Sequence, residues 1–289
     1  MLSGVALLEG GFPVYGSNFL HGEHHAAAVW SALYPQHPDS SLLVQLEAHA
    51  ELLRSHGSSL RLITTVADLD AEDHRTGVLP HSEGLELPDI APEVLDALWT
   101  AYALRSLSLT WNFETAYGFS CFDDVTAPLK PVGRHLLRAL EDSHLFLDLA
   151  HLNDAGFFEA LDLYAPRILV THTFCRAITN HPRGLSDDQL RALGEHGGLV
   201  GLAFPPDFLG LTGSVDEALR HIDRIATLAG EDAVSIGSDW GVAAMGELGD
   251  PESLGGLVDA VASSYGAGLA EKFAFASADD FLRMHLPLG

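Results

Sequence analysis

Cysteine is nearly absent from this chain. Cys121 and Cys175 are the only two in 289 residues, and neither belongs to a C-x-x-C pair. That excludes a disulfide framework and a cysteine-rich zinc site. Cationic residues are scarce too, with 15 Lys and Arg against 40 Asp and Glu and a formal charge of −25. So acidic a chain repels nucleic acid and anionic lipid headgroups, and neither is expected as a partner. Long apolar runs are also missing. The opening MLSGVALLEGG has no basic n-region, and its apolar stretch is too short for a secretory or membrane-spanning segment, which reads as a cytoplasmic chain. No G-x-S-x-G elbow, P-loop or convincing G-x-G-x-x-G occurs, so serine hydrolase, nucleotide and dinucleotide readings have no support.

Apolar residues, by contrast, make up 47% of the chain and charged ones only 19%, a balance that builds a large core. Short apolar or β-branched runs alternate with helical patterns from end to end. The expected strands are Val5–Glu9, Leu60–Val66, Gly77–Glu83, Ser106–Trp111, Leu145–His151, Arg167–His172, Gly198–Phe204 and Ala233–Asp239. Helical spacing of apolar residues marks Leu42–Leu53, Pro92–Leu104, Pro131–Leu140, Asp154–Tyr164, Ser186–Glu195 and Val215–Leu228. Ser186 and Ser214 stand where a side-chain oxygen caps free amides. Eight βα units predict a (β/α)8 TIM barrel spanning residues 1–289 as a single domain, with C-terminal helices within 251–289 packed on it.

In such barrels the reacting groups sit at the carboxyl ends of the strands. Here those ends are polar: Glu83 closes the third run, His151 the fifth, His172 the sixth and Asp239 the eighth. Two imidazoles and two carboxylates then converge on one mouth, and these are donors that zinc accepts. A single His or Asp at a strand end is more often a loop cap. Four together point to a metal or catalytic site, and the 16 histidines agree with a ligand other than carboxylates.

The same stretches resemble the membrane (renal) dipeptidase family, metal-dependent barrels of amidohydrolase type. The resemblance runs through VWSALYP (Val29–Pro35), HSEGLE (His81–Glu86), LFLDLAHLND (Leu145–Asp154) and ILVTHTFCRAITNHPRGLSDDQL (Ile168–Leu190). It continues in GGLVGLAF (Gly197–Phe204) and HIDRIATLAGEDAVSIGSDWG (His221–Gly241). It implies that Glu83 bridges two metals, that His151 and His172 bind the second, and that Asp239 binds the first and shuttles a proton. Arg183 would bind the substrate carboxylate, for which a guanidinium fork is suited, and a metal-activated water would attack an amide carbonyl. A homodimer and a dipeptide or other small-molecule substrate are implied as well.

Two departures stand out. The family's first strand ends Asp-Gly-His-x-Asp, but Glu9-Gly10-Gly11-Phe12-Pro13 stands here, so two ligands of the first metal are missing. One zinc ion per chain is the simplest outcome, or two if the HGEHH loop (His21–His25) supplies an imidazole or Glu23. At strand four, Leu109-Thr110-Trp111-Asn112 replaces Leu-Thr-His-Asn. Trp111 and Asn112 are expected against the substrate, though Trp111 could equally fill the mouth. Three readings follow: a zinc-dependent dipeptidase-like hydrolase, a repurposed biosynthetic enzyme using one metal or none on a small carboxylate, and a non-catalytic ligand-binding barrel. Cys175 near His172 is read as a buried thiol, Arg176 and His181 as flanking the Arg183 segment, and Asp148 as the buried partner of a barrel residue.

Overall fold

The structure is a computed structural model that describes residues 5–7, 13–18, 28–33, 42–58, 60–71, 75–85, 91–164, 167–240 and 246–289. The three N-terminal strands are β1 (Val5–Leu7), β2 (Pro13–Asn18) and β3 (Ala28–Leu33). Seven more follow: β4 (Leu60–Leu62), β5 (Thr76–Ser82), β6 (Ser106–Ser108), β7 (Phe146–Asp148), β8 (Ile168–Thr173), β9 (Leu199–Leu202) and β10 (Val234–Ile236). From β4 to β10 each strand pairs in parallel with the next in chain order.

This corrects the expected closed eight-stranded barrel to a half-barrel of seven parallel strands. Val5–Leu7, expected as the first barrel strand, pairs antiparallel with Pro13–Tyr15, β2 pairs antiparallel with β3, and β3 runs parallel to β5. Among the described residues no strand joins β10 back to β4. The partner that β1 takes is a few residues away, whereas the closing strand of a barrel must reach the far end of the sheet. Short loops cost less closure entropy. Pro13, which lacks an amide donor, opens β2, a position where a strand tolerates proline.

The helices form where periodicity placed them, including Pro131–Leu140, Asp154–Leu163, Asp187–Glu195 and Val215–Ala229. Their buried faces, for example Leu136, Leu137 and Leu140, pack into the main core. Ser186 and Ser214 accept from the backbone amides of Gln189 and Glu217, completing capping boxes. The expected Pro92–Leu104 helix ends earlier, at Ala101.

A second apolar cluster closes the amino end of the sheet. Ile63, Leu79, Phe146, Leu169 and Leu199 meet Phe281, Leu282 and Leu286, contributed by the helix Ser277–His285 and the residue after it. Phe146 and Leu199 are the first residues of β7 and β9, so this helix seals the end opposite the polar strand termini. Among the described residues no helix is long and apolar enough to cross a membrane.

Candidate metal centre

At the carboxyl end of the sheet three buried side chains meet. Glu83 follows β5, His151 stands three residues beyond β7, and His172 lies inside β8. Glu83 Oε1 is 2.8 Å from His151 Nε2 and 3.1 Å from His172 Nε2, and the two Nε2 atoms are 3.0 Å apart. These residues form the one group of possible metal ligands among the described residues.

Hydrogen bonds behind the imidazoles settle their tautomers. Asn112 Oδ1 is 2.9 Å from His151 Nδ1, and a carbonyl-type oxygen can only accept, so Nδ1 carries the proton there. Thr171 Oγ1 donates to Asp148 Oδ2 at 2.6 Å and lies 2.8 Å from His172 Nδ1, so that nitrogen is the donor too. Both Nε2 lone pairs and a carboxylate oxygen then face one another, and Glu83 Oε1 has no donor. Three acceptors about 3 Å apart repel in a dry site unless a cation stands between them. Zinc bonds of about 2.0–2.1 Å set ligand–ligand edges near 3.3 Å in a tetrahedron, close to the observed triangle. The donor set therefore fits a divalent metal, with His151, His172 and Glu83 as its ligands.

Electrostatics agree. Burial and the nearby Arg183 guanidinium push His151 down to about 3, which keeps it neutral. Burial pulls His172 down as well, but the Asp239 and Glu83 carboxylates outweigh it and raise His172 above its ordinary value. Burial penalises the Glu83 carboxylate, yet His172 and His151 hold it well below the usual range.

Two backbone features accompany the site. The register of β8 against β9 shifts between Val170 and Thr173, and a bulge of this kind re-aims side chains. Thr171 and His172, adjacent in sequence, consequently join one polar network. His151 and Asp239 both have positive φ, at 67° and 56°. Such strain in non-glycine residues concentrates at functional sites.

Around the cluster, buried Arg183 donates from Nη2 to the His172 carbonyl at 3.1 Å, and its own amide donates to His181 Nδ1 at 3.2 Å. Arg176 grips both Asp154 oxygens at 2.7 Å each and the Gly184 carbonyl at 2.8 Å, tying down that loop. Asp239 is half-buried and lies outside the tight cluster. Burial raises its carboxyl, and His172 opposes the rise. The Trp111 ring stands 6.0 Å from the His151 ring and 5.6 Å from Phe113, which is exposed at the rim.

The residues expected from the strand ends thus gather as Glu83, His151 and His172, with Arg183 and Asp239 close enough to act on their charge. Asn112, expected against substrate, spends its oxygen on His151. Gly11 and the His21–His25 loop lie outside the described residues. Cys175 is buried and its thiol is pushed up to about 12 by burial, as befits an inert core group. The sequence reading missed His81, whose Nδ1 is 2.9 Å from Ser106 Oγ and whose Nε2 is 3.4 Å from Asp148 Oδ2. Its signal was available: His81 and Glu83 are two apart and share a strand face. Asp148, expected as a partner of some barrel residue, is bound by Thr171.

A barrel-type α/β sheet carrying this metal-ligand set at its carboxyl end defines a metallohydrolase scaffold of amidohydrolase type. The chain belongs to the membrane dipeptidase family, peptidase family M19, whose model matches residues 16–275. An uncharacterized protein in the pqqA 5′ region of Klebsiella pneumoniae is 30% identical, covering 80% of this chain and 90% of the relative. Among solved structures, a metallo peptidase from Rhodobacter sphaeroides, liganded with a phosphinate mimic of the dipeptide L-Ala-D-Ala, is 28% identical. Its TM-score is 0.75, with 84% of this chain and 74% of that one covered. The dipeptidase AC, a family M19 metallo peptidase, is 25% identical with a TM-score of 0.80 over 92% of this chain and 90% of its own.

Proposed function

We propose that this chain is a zinc-dependent hydrolase that cleaves the amide bond of a dipeptide or a small dipeptide-like carboxylate, with one ion held by Glu83, His151 and His172. The observation that carries it is the triangle of three acceptor atoms whose two imidazoles are locked with Nε2 facing inward. A zinc ion in that position supplies a water of lowered pKa and polarises a carbonyl oxygen. Arg183 pairs its guanidinium fork with the substrate's carboxylate. Asp239, half-buried and with its carboxyl raised, takes up a proton and hands it on at the mouth. Asn112 holds His151 in register, and Trp111 walls the mouth against water. The Rhodobacter relative, liganded with a mimic of L-Ala-D-Ala, supports a dipeptide-sized substrate. A homodimer and a cytoplasmic setting go with this reading, and sedimentation and cell fractionation test them.

Metal analysis of protein purified without chelator, paired with a dipeptide panel, tests the assignment. About one zinc per chain with turnover is expected. Two per chain would bring the His21–His25 loop into the site and overturn the one-ion form. A second reading, a repurposed enzyme acting on another small carboxylate, is favoured by Trp111 standing where the family carries histidine. One bound zinc without turnover of any dipeptide would select it, and a chain with neither zinc nor turnover would defeat the metallohydrolase altogether.

A further inference from the structure

The two imidazoles are locked by unequal partners. Behind His151 stands the neutral amide of Asn112, half-buried at the mouth. Behind His172 stands a relay that ends on a buried charge. Asp148 is only 1% exposed; its Oδ1 accepts from the Ala150 amide at 2.9 Å and the Thr171 amide at 3.0 Å, and its Oδ2 accepts the Thr171 hydroxyl. A hydroxyl has one proton. Given to Asp148, it leaves Thr171 Oγ1 able only to accept, which forces the ring proton of His172 onto Nδ1 and turns the Nε2 lone pair towards Glu83. The fold holds Thr171 in place from the other side. A Cβ on Gly201 or on Gly237 would come within 2.1 Å of the Thr171 carbonyl oxygen, so only glycine lets β9 and β10 approach so closely.

We propose that Asp148, acting through the Thr171 hydroxyl, is the positioning residue that sets which nitrogen of His172 carries the ring proton, and thereby the cluster's affinity for a divalent cation. This rests on the metal-binding reading above. The polarity of the relay makes a sharp demand on Asp148→Asn. The amide oxygen must take the two backbone N–H groups, so the NH2 faces Thr171 and the hydroxyl turns to donate to His172 Nδ1. The ring proton then moves to Nε2 and points into the cluster.

Titrating the full chain with cobalt(II), whose visible spectrum reports its ligands, tests this alongside 15N NMR of the histidine rings. Asp148→Asn and Thr171→Val are expected to bind cobalt about 10–100-fold more weakly, the usual cost of losing an outer partner of a metal-binding histidine. Thr171→Ser keeps the hydroxyl and restores wild-type affinity. The metal-free ring spectrum should show His172 protonated on Nδ1 in the wild type and Thr171→Ser, and on Nε2 in Asp148→Asn. Should Asp148→Asn fail to fold, the Val and Ser variants of Thr171 still decide. Equal affinities and an unchanged tautomer across the set would overturn the proposal alone. A wild type that binds no cobalt would overturn the metal reading and the proposal with it.

Discussion

The two ends of the sheet are built from opposite physics. At the amino end, Phe146, Leu169 and Leu199 meet Phe281 and Leu282 in a packed apolar plug. At the carboxyl end, the interior holds Glu83, His151, His172, Asp148 and His81, all buried, and directed hydrogen bonds to Asn112 and Thr171 hold the two imidazoles His151 and His172. Apolar burial is non-directional and scales with area, so the plug tolerates a change of shape at a graded cost. A buried polar network depends on every donor finding its acceptor, and losing one partner strands the next. The amino-end plug therefore contributes through buried area, and the carboxyl-end network through direction. The strained backbone at His151 and Asp239 belongs to the second end.

Four substitutions or conditions can break or sharpen that contrast. If His172 is the ligand proposed, His172→Ala should abolish tight cation binding and lower hydrolysis by on the order of 10³ or more, while the melting temperature of the metal-free protein changes little; calorimetric titration with zinc and a rate assay check both. Phe281→Ala should do the reverse, costing about 3–5 kcal/mol in denaturant unfolding with the cation affinity intact. Acidification probes a third site, His221, whose Nδ1 accepts the Cys175 amide at 3.0 Å and whose burial pushes it down to about 4. Because the folded value lies below the unfolded one, its contribution is complete above pH 6.5 and declines as pH falls towards 4. That amounts to about 3 kcal/mol, and unfolding curves for the wild type and His221→Gln across this range should converge at low pH. The smallest effect is expected of Trp111→His. It places an imidazole donor at the mouth, and dipeptide turnover should rise about 10-fold, within what an oxyanion donor supplies; an unchanged kcat would make Trp111 a wall and nothing more.

Much of the site could be read from the chain because strand ends are local features. Glu83, His151 and His172 each close an apolar run, and the capping serines 186 and 214 precede their helices. The tautomer locks could not. Asn112 and His151 are 39 residues apart, and Asp148 and Thr171 are 23 apart, so their pairing exists only once the strands lie side by side. The bulge in β8 was equally invisible, since strict alternation places Thr171 and His172 on opposite faces. The strand expected at Val5–Glu9 failed as a barrel strand for a related reason: periodicity marks a segment as extended without naming its neighbour.

By itself, then, the sequence determined the alternation of strands and helices, the acidic surface and the residue types at the strand ends, because each depends on neighbours within a few positions. Only the tertiary structure decided that the parallel strands form a half-barrel, that three of the polar ends share one buried point, and that Thr171 and Asn112 turn both imidazoles towards it. Those outcomes depend on pairings between distant residues, and a hydrogen bond acquires its direction only when both partners have been placed.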